Sequence, residues 1–372
     1  NYRYVAEEVH YIFDNSDATV VVYGTEFRDN IDQLRSRLPA VKQWIEVGGS
    51  DLPEGILDYE SLATSGDGSK LDIERSPDDQ LFLYTGGTTG MPKGVLWDHH
   101  NLREAQLLAL RAMGPVPENL EELKEKITNE GPGDTLIPAC PLMHGTGLFT
   151  GMGTFYSGGT VVTLSAPSLD PEELWQTVQD RGVNTVSIVG DAFAKPMLRA
   201  LENNQGRWDL SSLAGMISSG VMWSQEVKEA LLEHLPNALL ADSFGSSEAV
   251  GFGASIMAKG MPVQTARFTT NDFCKVFDEN DQEIPRGGET PGFIAFGGPI
   301  PLGYYGDPDK TAKTFKTING QRFSIPGDYC LVAEDGTLTL LGRGSVCINS
   351  AGEKIYPEEV EETLKQHPAV VD

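Results

Sequence analysis

Thr85-Gly86-Gly87-Thr88-Thr89-Gly90-Met91-Pro92-Lys93-Gly94 is the stretch on which the reading of this chain turns. It follows directly on an apolar run, Leu81-Phe82-Leu83-Tyr84, that reads as a strand. The ten residues hold three hydroxyls, four glycines and one lysine. Glycine lets the backbone turn tightly and bring its N–H groups close to an anion. The hydroxyls add donors, and the lysine adds a compact positive charge suited to phosphate oxygens. The stretch therefore reads as a strand running into a phosphate-cradling loop. It is not the Walker loop, whose lysine follows the last glycine and opens a helix. Here Lys93 follows Pro92 and precedes Gly94.

Further along stand four shorter strings. Asp242-Ser243-Phe244-Gly245-Ser246-Ser247-Glu248 offers an aromatic face suited to a purine and a hard carboxylate suited to Mg²⁺. Taken alone it reads equally as a strand-to-helix turn. Ser218-Ser219-Gly220-Val221 has the texture of a tight loop, and Gly327-Asp328 that of ordinary turn chemistry. His144, in Pro141-Leu142-Met143-His144-Gly145-Thr146-Gly147, reads first as a structural histidine among glycines. Gly145-Thr146-Gly147 lacks the third glycine of a dinucleotide fingerprint.

Taken in their order along the chain, the strings resemble the motifs of the adenylate-forming superfamily of acyl-CoA synthetases, luciferases and peptide-synthetase adenylation domains. The family's loop commonly has Ser where Gly86 stands, and its second motif reads Tyr-Gly-x-Thr-Glu where this chain has Phe244-Gly245-Ser246-Ser247-Glu248. The match runs from Val5 to Asp372 and is nearest to fatty- and steroid-acid CoA ligases, on Pro301-Leu302-Gly303-Tyr304-Tyr305, Pro326-Gly327-Asp328 and Leu341 to Asn349. It implies ATP-dependent activation of a carboxylic acid to acyl-AMP, then thioester formation with CoA as co-substrate. Two alternatives stay open: transfer to a carrier-protein thiol, and a non-catalytic nucleotide- or acyl-binding homologue.

The same resemblance implies roles for single residues. Thr85, Gly86, Gly87, Thr88, Thr89, Gly90 and Lys93 would hold the β,γ-phosphates of ATP. Ser219 and Gly220 would flank the adenine and the acyl pocket, and Phe244 would stack on the adenine beside Gly245 and Ser246. Ser247 would bind phosphate, Glu248 would hold Mg²⁺, Asp328 would take the ribose hydroxyls, and Arg343 the ribose or phosphate. Gly352 would let the pantetheine arm of CoA approach. His144 would line or gate the acid site, with Lys93 and Glu248 the other catalytic candidates. No carboxylate lies between Pro141 and Gly147 to hold an amine, which favours a plain carboxylic acid. Pro326, Val346 and Asn349 depart from the family pattern, and the last two leave the chemistry of the hinge open.

Composition bounds the partners. The chain has 372 residues, of which 40% are hydrophobic, enough for a sizeable core and more than one domain. Its formal net charge of −26 argues against nucleic acid and anionic membrane, both of which need a basic patch. No apolar run is long enough for a transmembrane segment. The four cysteines, at 140, 274, 330 and 347, form no C-x-x-C pair, which favours unpaired thiols in a reducing, cytoplasmic setting.

For the fold, the alternation of strand and helix patterns predicts an α/β layer structure with a mostly parallel sheet. The first fifty residues read as helix, strand, helix, strand, with Ala18–Tyr23 a continuous β-branched strand of the fully buried kind. Asp170-Pro171 reads as a helix cap and first-turn pair. The segment around 118–126 reads as a solvated helix or loop. Residues 1–344 are expected to form the large domain, with a β-rich part over 255–341. Residues 345–372 would begin a small α+β domain hinged near 344–346, with a helix from Pro357. The chain is expected to begin and end inside a longer protein: it lacks an initiating Met, and the family's last lysine would lie past Asp372. These residues alone are then expected to adenylate slowly, and to expose apolar surface that favours a homo-oligomer.

Overall fold

The computed structural model describes residues 3–87, 90–111, 114–221, 223–261, 267–343, 348–350 and 353–355. The chain divides into two compact units. One is Asn1–His99 with Leu302–Pro308, the other His100–Pro301 with Asp309–Asp372.

The first unit begins as its sequence leads one to expect. Helix Ala6–Asn15 is followed by strand Val20–Gly24, helix Arg28–Leu34 and strand Gln43–Val47. The two strands pair in parallel, and Ile56–Asp58 adds a third parallel strand. Val21, Tyr23, Ile31, Leu34 and Trp44 form its core. One expectation fails. Val20–Gly24 is not buried on both faces, since Val20 and Val22 are about half exposed while Val21 and Tyr23 are buried. Alternate side chains of a strand point to opposite faces, and here only one of them is covered. Glu46 lies fully buried in this unit. It accepts from Tyr23 Oη at 3.0 Å and from Arg28 Nε at 2.9 Å, with a second Arg28 bond on its other oxygen. Those donors hold its carboxyl well down, at about 2.

The rest of this unit is a small antiparallel sheet. Gln80–Gly87 and Gly90–Asp98 pair, and Gly303–Tyr304 pairs with the second of them. Val95 and Trp97 are fully buried beneath it. A Cβ on Gly94 would lie 3.1 Å from the ring of Tyr84, its cross-strand partner, so the missing side chain lets that ring lie flat.

The second unit is built on one 13-stranded sheet. Thr160–Val161, Thr135–Pro138, Thr185–Ile188, Gly215–Ser219 and Leu239–Ser246 lie side by side in that order and run parallel. Helices Pro171–Arg181, Asp191–Asn203 and Gln225–His234 connect them, and their apolar faces meet in a core of Leu174, Trp175, Val178, Met197, Met216 and Leu231. Beyond Leu239–Ser246 the pairing turns antiparallel through Ala249–Met257, Arg267–Thr270, Leu338–Arg343 and Asp328–Val332. The β-rich segment thus continues the same sheet. Asp170 caps the helix Pro171–Arg181, accepting from the N–H groups of Glu172 and Glu173, with Pro171 in the first turn. The charged insert is a helix, Leu120–Glu130, capped by Asn119, whose Leu123 and Ile127 press on Gly158.

Candidate active site

The glycine-rich stretch is a hairpin whose strands run further than its sequence indicates. Thr85 to Gly87 extend one strand, and Gly90 begins the next. Thr85 stands directly opposite Lys93, and Gly87 opposite Gly90. Cross-strand neighbours share a face, so the hydroxyl of Thr85 and the stem of Lys93 rise together. Antiparallel pairing therefore does what the loop reading left to glycine flexibility. Lys93 makes an ion pair with Asp307. Thr88 and Thr89, between the strands, lie outside the described residues, as do Gly352, Cys347, residues 344–346 and the expected helix from Pro357.

In the second unit, the string Asp242–Glu248 is the turn of a hairpin between two strands, where its sequence alone read equally as a strand-to-helix turn. Leu239–Ser246 and Ala249–Met257 pair with a register shift between Phe244 and Ser246, which makes Gly245 a bulge. A Cβ there would sit 3.2 Å from the carbonyl of Ala249 and 3.1 Å from the N–H of Gly251, so a side chain at this bulge would crowd the facing backbone. Phe244 is half-buried, with Phe252 and Phe268 each 5.2 Å from its ring centre. Ser246 Oγ accepts the N–H of Glu248 at 3.2 Å and fixes the turn that carries this carboxylate beside Ser247.

Around it, the structure brings several of the expected residues together. Ser243 pairs with Ser219 on the neighbouring strand, and Gly220 follows at φ +96°. A Cβ on Gly220 would meet His144 Cε1 at 3.0 Å, so the imidazole packs on this glycine. These residues lie at the carboxyl ends of parallel strands, where open α/β sheets place ligands. Asp328, buried, pairs across strands with Arg343, whose side chain lies outside what is described.

His144 caps the helix Gly145–Tyr156, its Nδ1 accepting the N–H of Thr146 at 3.2 Å. That bond puts the ring proton on Nε2. Although much of the residue is exposed, the surrounding protein desolvates the ring and draws its pKa below the usual histidine value. The neutral form is also the one that suits a helix N-terminus. Cys140, Cys274 and Cys330 are unpaired, and burial pushes their thiols up, to about 11 for Cys140 and about 12 for Cys274.

Two charged pairs beside these strings escaped the sequence reading. Lys93 with Asp307 is one. The other is Lys228 with Asp242, the first residue of the Phe244 string. Lys228 is buried on the apolar face of its helix, beside Val227, Leu231 and Leu232. A lysine in that row was the available signal. Burial raises the pKa of Asp242 and Lys228 pulls it back, while Asp191 accepts from Ser224 N at 2.9 Å nearby.

The sequence profile described as AMP-binding enzyme matches residues 1–305. The chain belongs to that family. Relatives cover all of this chain. A medium/long-chain-fatty-acid–CoA/3-oxocholest-4-en-26-oate–CoA ligase of Mycobacterium marinum is 43% identical, the match spanning 69% of its length. The 3-oxocholest-4-en-26-oate–CoA ligase of Rhodococcus rhodochrous is 40% identical over 68% of its length. Among solved structures, an anthranilate CoA ligase in complex with anthranoyl-AMP matches with a TM-score of 0.80 at 21% identity, covering all of this chain and 67% of that one. The ATP-bound MatB of Rhodopseudomonas palustris gives 0.76 at 22%, covering all of this chain and 68% of that one. These structures establish the fold: layered α/β, as the family resemblance implies. Among the described residues no helix is long and apolar enough to cross a membrane.

Proposed function

We propose that this AMP-binding enzyme is an acyl-CoA synthetase that activates a fatty or steroid side-chain acid with ATP and passes the acyl group to CoA. The observation that carries the reading is identity of 40% or more, over all of this chain and about two thirds of each relative, to ligases named for those two acid classes. The chemistry runs in two steps. A carboxylate oxygen attacks the α-phosphorus of ATP and pyrophosphate leaves. The thiol sulfur of CoA then attacks the acyl carbonyl, and AMP leaves with the bond to oxygen.

Each unit supports a part of this. In the first, Lys93 and Thr85 rise on one face of a hairpin and suit the oxygens of the leaving pyrophosphate. In the second, the half-buried ring of Phe244 offers a face to adenine. Asp328, at the start of its strand, is our candidate for the ribose hydroxyls, with Arg343 opposite. Glu248, partly exposed on a fixed turn, is a hard oxygen donor that fits Mg²⁺. That ion, when bound, supplies neutralisation of the phosphate charge. Neutral His144, with Nε2–H against Gly220, would donate to an oxygen of the acid and keep water from it. The unpaired thiols fit a reducing compartment, and we place the enzyme in the cytoplasm.

Calorimetry with non-hydrolysable acyl-adenylate mimics of short, medium, long and steroid acyl groups tests the reading. Binding that tightens toward the long or steroid mimics is expected. No binding by any mimic to folded protein would overturn it.

A further inference from the structure

We infer that Asp307 is the resident counter-ion of Lys93, and that a phosphate arriving at the glycine hairpin must compete with it for this lysine. Asp307 is then a positioning residue that sets phosphate affinity. The inference rests on the phosphate reading of the hairpin given above.

The carboxylate is not a chance neighbour on a floppy loop. Its segment is fastened along the second hairpin strand residue by residue. Leu302 N donates to Leu96 O at 2.8 Å, Gly303 and Tyr304 pair with Leu96 and Val95, and Tyr305 N donates to Gly94 O at 2.9 Å. The ring of Tyr305 packs 4.7 Å from that of Phe82, and its Oη donates to Asp17 Oδ2 at 2.5 Å. Gly306, at φ +67°, turns the chain, and Asp307 N donates back to Tyr304 O at 3.3 Å. The short Asp307 side chain is thereby held over Lys93, with which it forms the ion pair.

The pair remains open to an incoming anion, because the side chains of Lys93 and Asp307 are 35% and 27% exposed. An ammonium has three N–H groups and no acceptor, so carboxylate and phosphate draw on the same donors. A phosphate placed there also meets the negative charge of Asp307, which disfavours it. Asn in place of Asp keeps the shape and one acceptor oxygen and removes the charge. Asp307→Asn should therefore tighten phosphate binding, an outcome that a merely structural role does not produce.

Titration of Mg-pyrophosphate and MgATP into the wild type, Asp307→Asn, Asp307→Glu and Lys93→Met by calorimetry tests this. Asp307→Asn is expected to bind pyrophosphate roughly 1.5-fold to fivefold more tightly, the range for a partly exposed pair. Asp307→Glu should stay near the wild type, and Lys93→Met should bind more weakly. Equal or weaker binding by folded Asp307→Asn would overturn the counter-ion role while leaving the phosphate site standing. No binding by any of the four would overturn the phosphate reading, and this inference with it.

Discussion

Lys228 and Asp242 show how one charge depends on another where water is scarce. Their side chains are 6% and 18% exposed. Removing one partner of such a pair leaves the other desolvated and unmatched. Lys228→Ala is expected to cost about 3 kcal/mol in urea unfolding at neutral pH. The sign of its pH dependence follows from the carboxyl. Burial already raises the pKa of Asp242 above its unfolded value, and without Lys228 it rises further. A raised carboxyl favours folding at low pH and loses that advantage as pH climbs through its folded pKa. The deficit of Lys228→Ala should thus shrink as pH falls through the folded pKa of Asp242; a deficit independent of pH would show that packing alone is lost. His144 yields a second test. Its pKa is lowered by burial, so the unfolded chain takes up this proton at a higher pH than the folded one, and stability falls as pH drops through the unfolded value. Activity that needs the neutral ring should fall on the acid side, with a midpoint below the usual histidine range. His144→Ala should cost about 1 kcal/mol through the lost cap. His144→Asn should restore the cap and not the acid limb. Candidate residues carried by local strings, such as Phe244 and Asp328, can be proposed from sequence because the string itself is the signal. Asp307 was not: it lies 214 residues from Lys93, and only strand pairing joins them.

At the scale of elements, the helix Gly145–Tyr156 carries glycines for unlike reasons. A Cβ on Gly147 would come within 2.9 Å of the carbonyl oxygens of Cys140 and Pro141, whereas one on Gly153 would meet nothing within 4 Å. Glycine inside a helix costs roughly 0.5–1 kcal/mol relative to alanine. Gly153→Ala should therefore stabilise by about that amount, and Gly147→Ala should destabilise, as differential scanning calorimetry would read in opposite shifts of Tm. Two shifts of one sign would refute the packing account. Elements set by near neighbours were readable from sequence, and the Asp170-Pro171 helix start is the clearest case. What was not readable depended on distant partners. Nothing within Ala18–Tyr23 says that only one face will be covered, so a β-branched run read as doubly buried. Nothing within Thr85–Gly94 says that its two ends will pair, so a hairpin read as a loop. The continuity of the antiparallel strands with the parallel ones likewise rests on the pairing of Arg267–Thr270 with both Ala249–Met257 and Leu338–Arg343.

For the whole molecule, charge is the property that acts at a distance. A net −26 faces substrates that are themselves anionic, since both ATP and CoA carry phosphates. Lys93 is one of only 28 basic residues against 54 acidic ones, so attraction is confined to short range while the long-range field repels. Salt separates the two. The Debye length is about 10 Å at 0.1 M, so added salt screens distant carboxylates more than a lysine touching phosphate. Stopped-flow association of MgATP should accordingly speed up, by about twofold to fivefold, as NaCl rises from about 20 to about 200 mM. Dissociation should quicken as well, because contact charges are partly screened, leaving the equilibrium affinity nearly flat. An association rate that falls with salt would mean that the basic residues are gathered into a steering patch strong enough to outweigh the acidic surface.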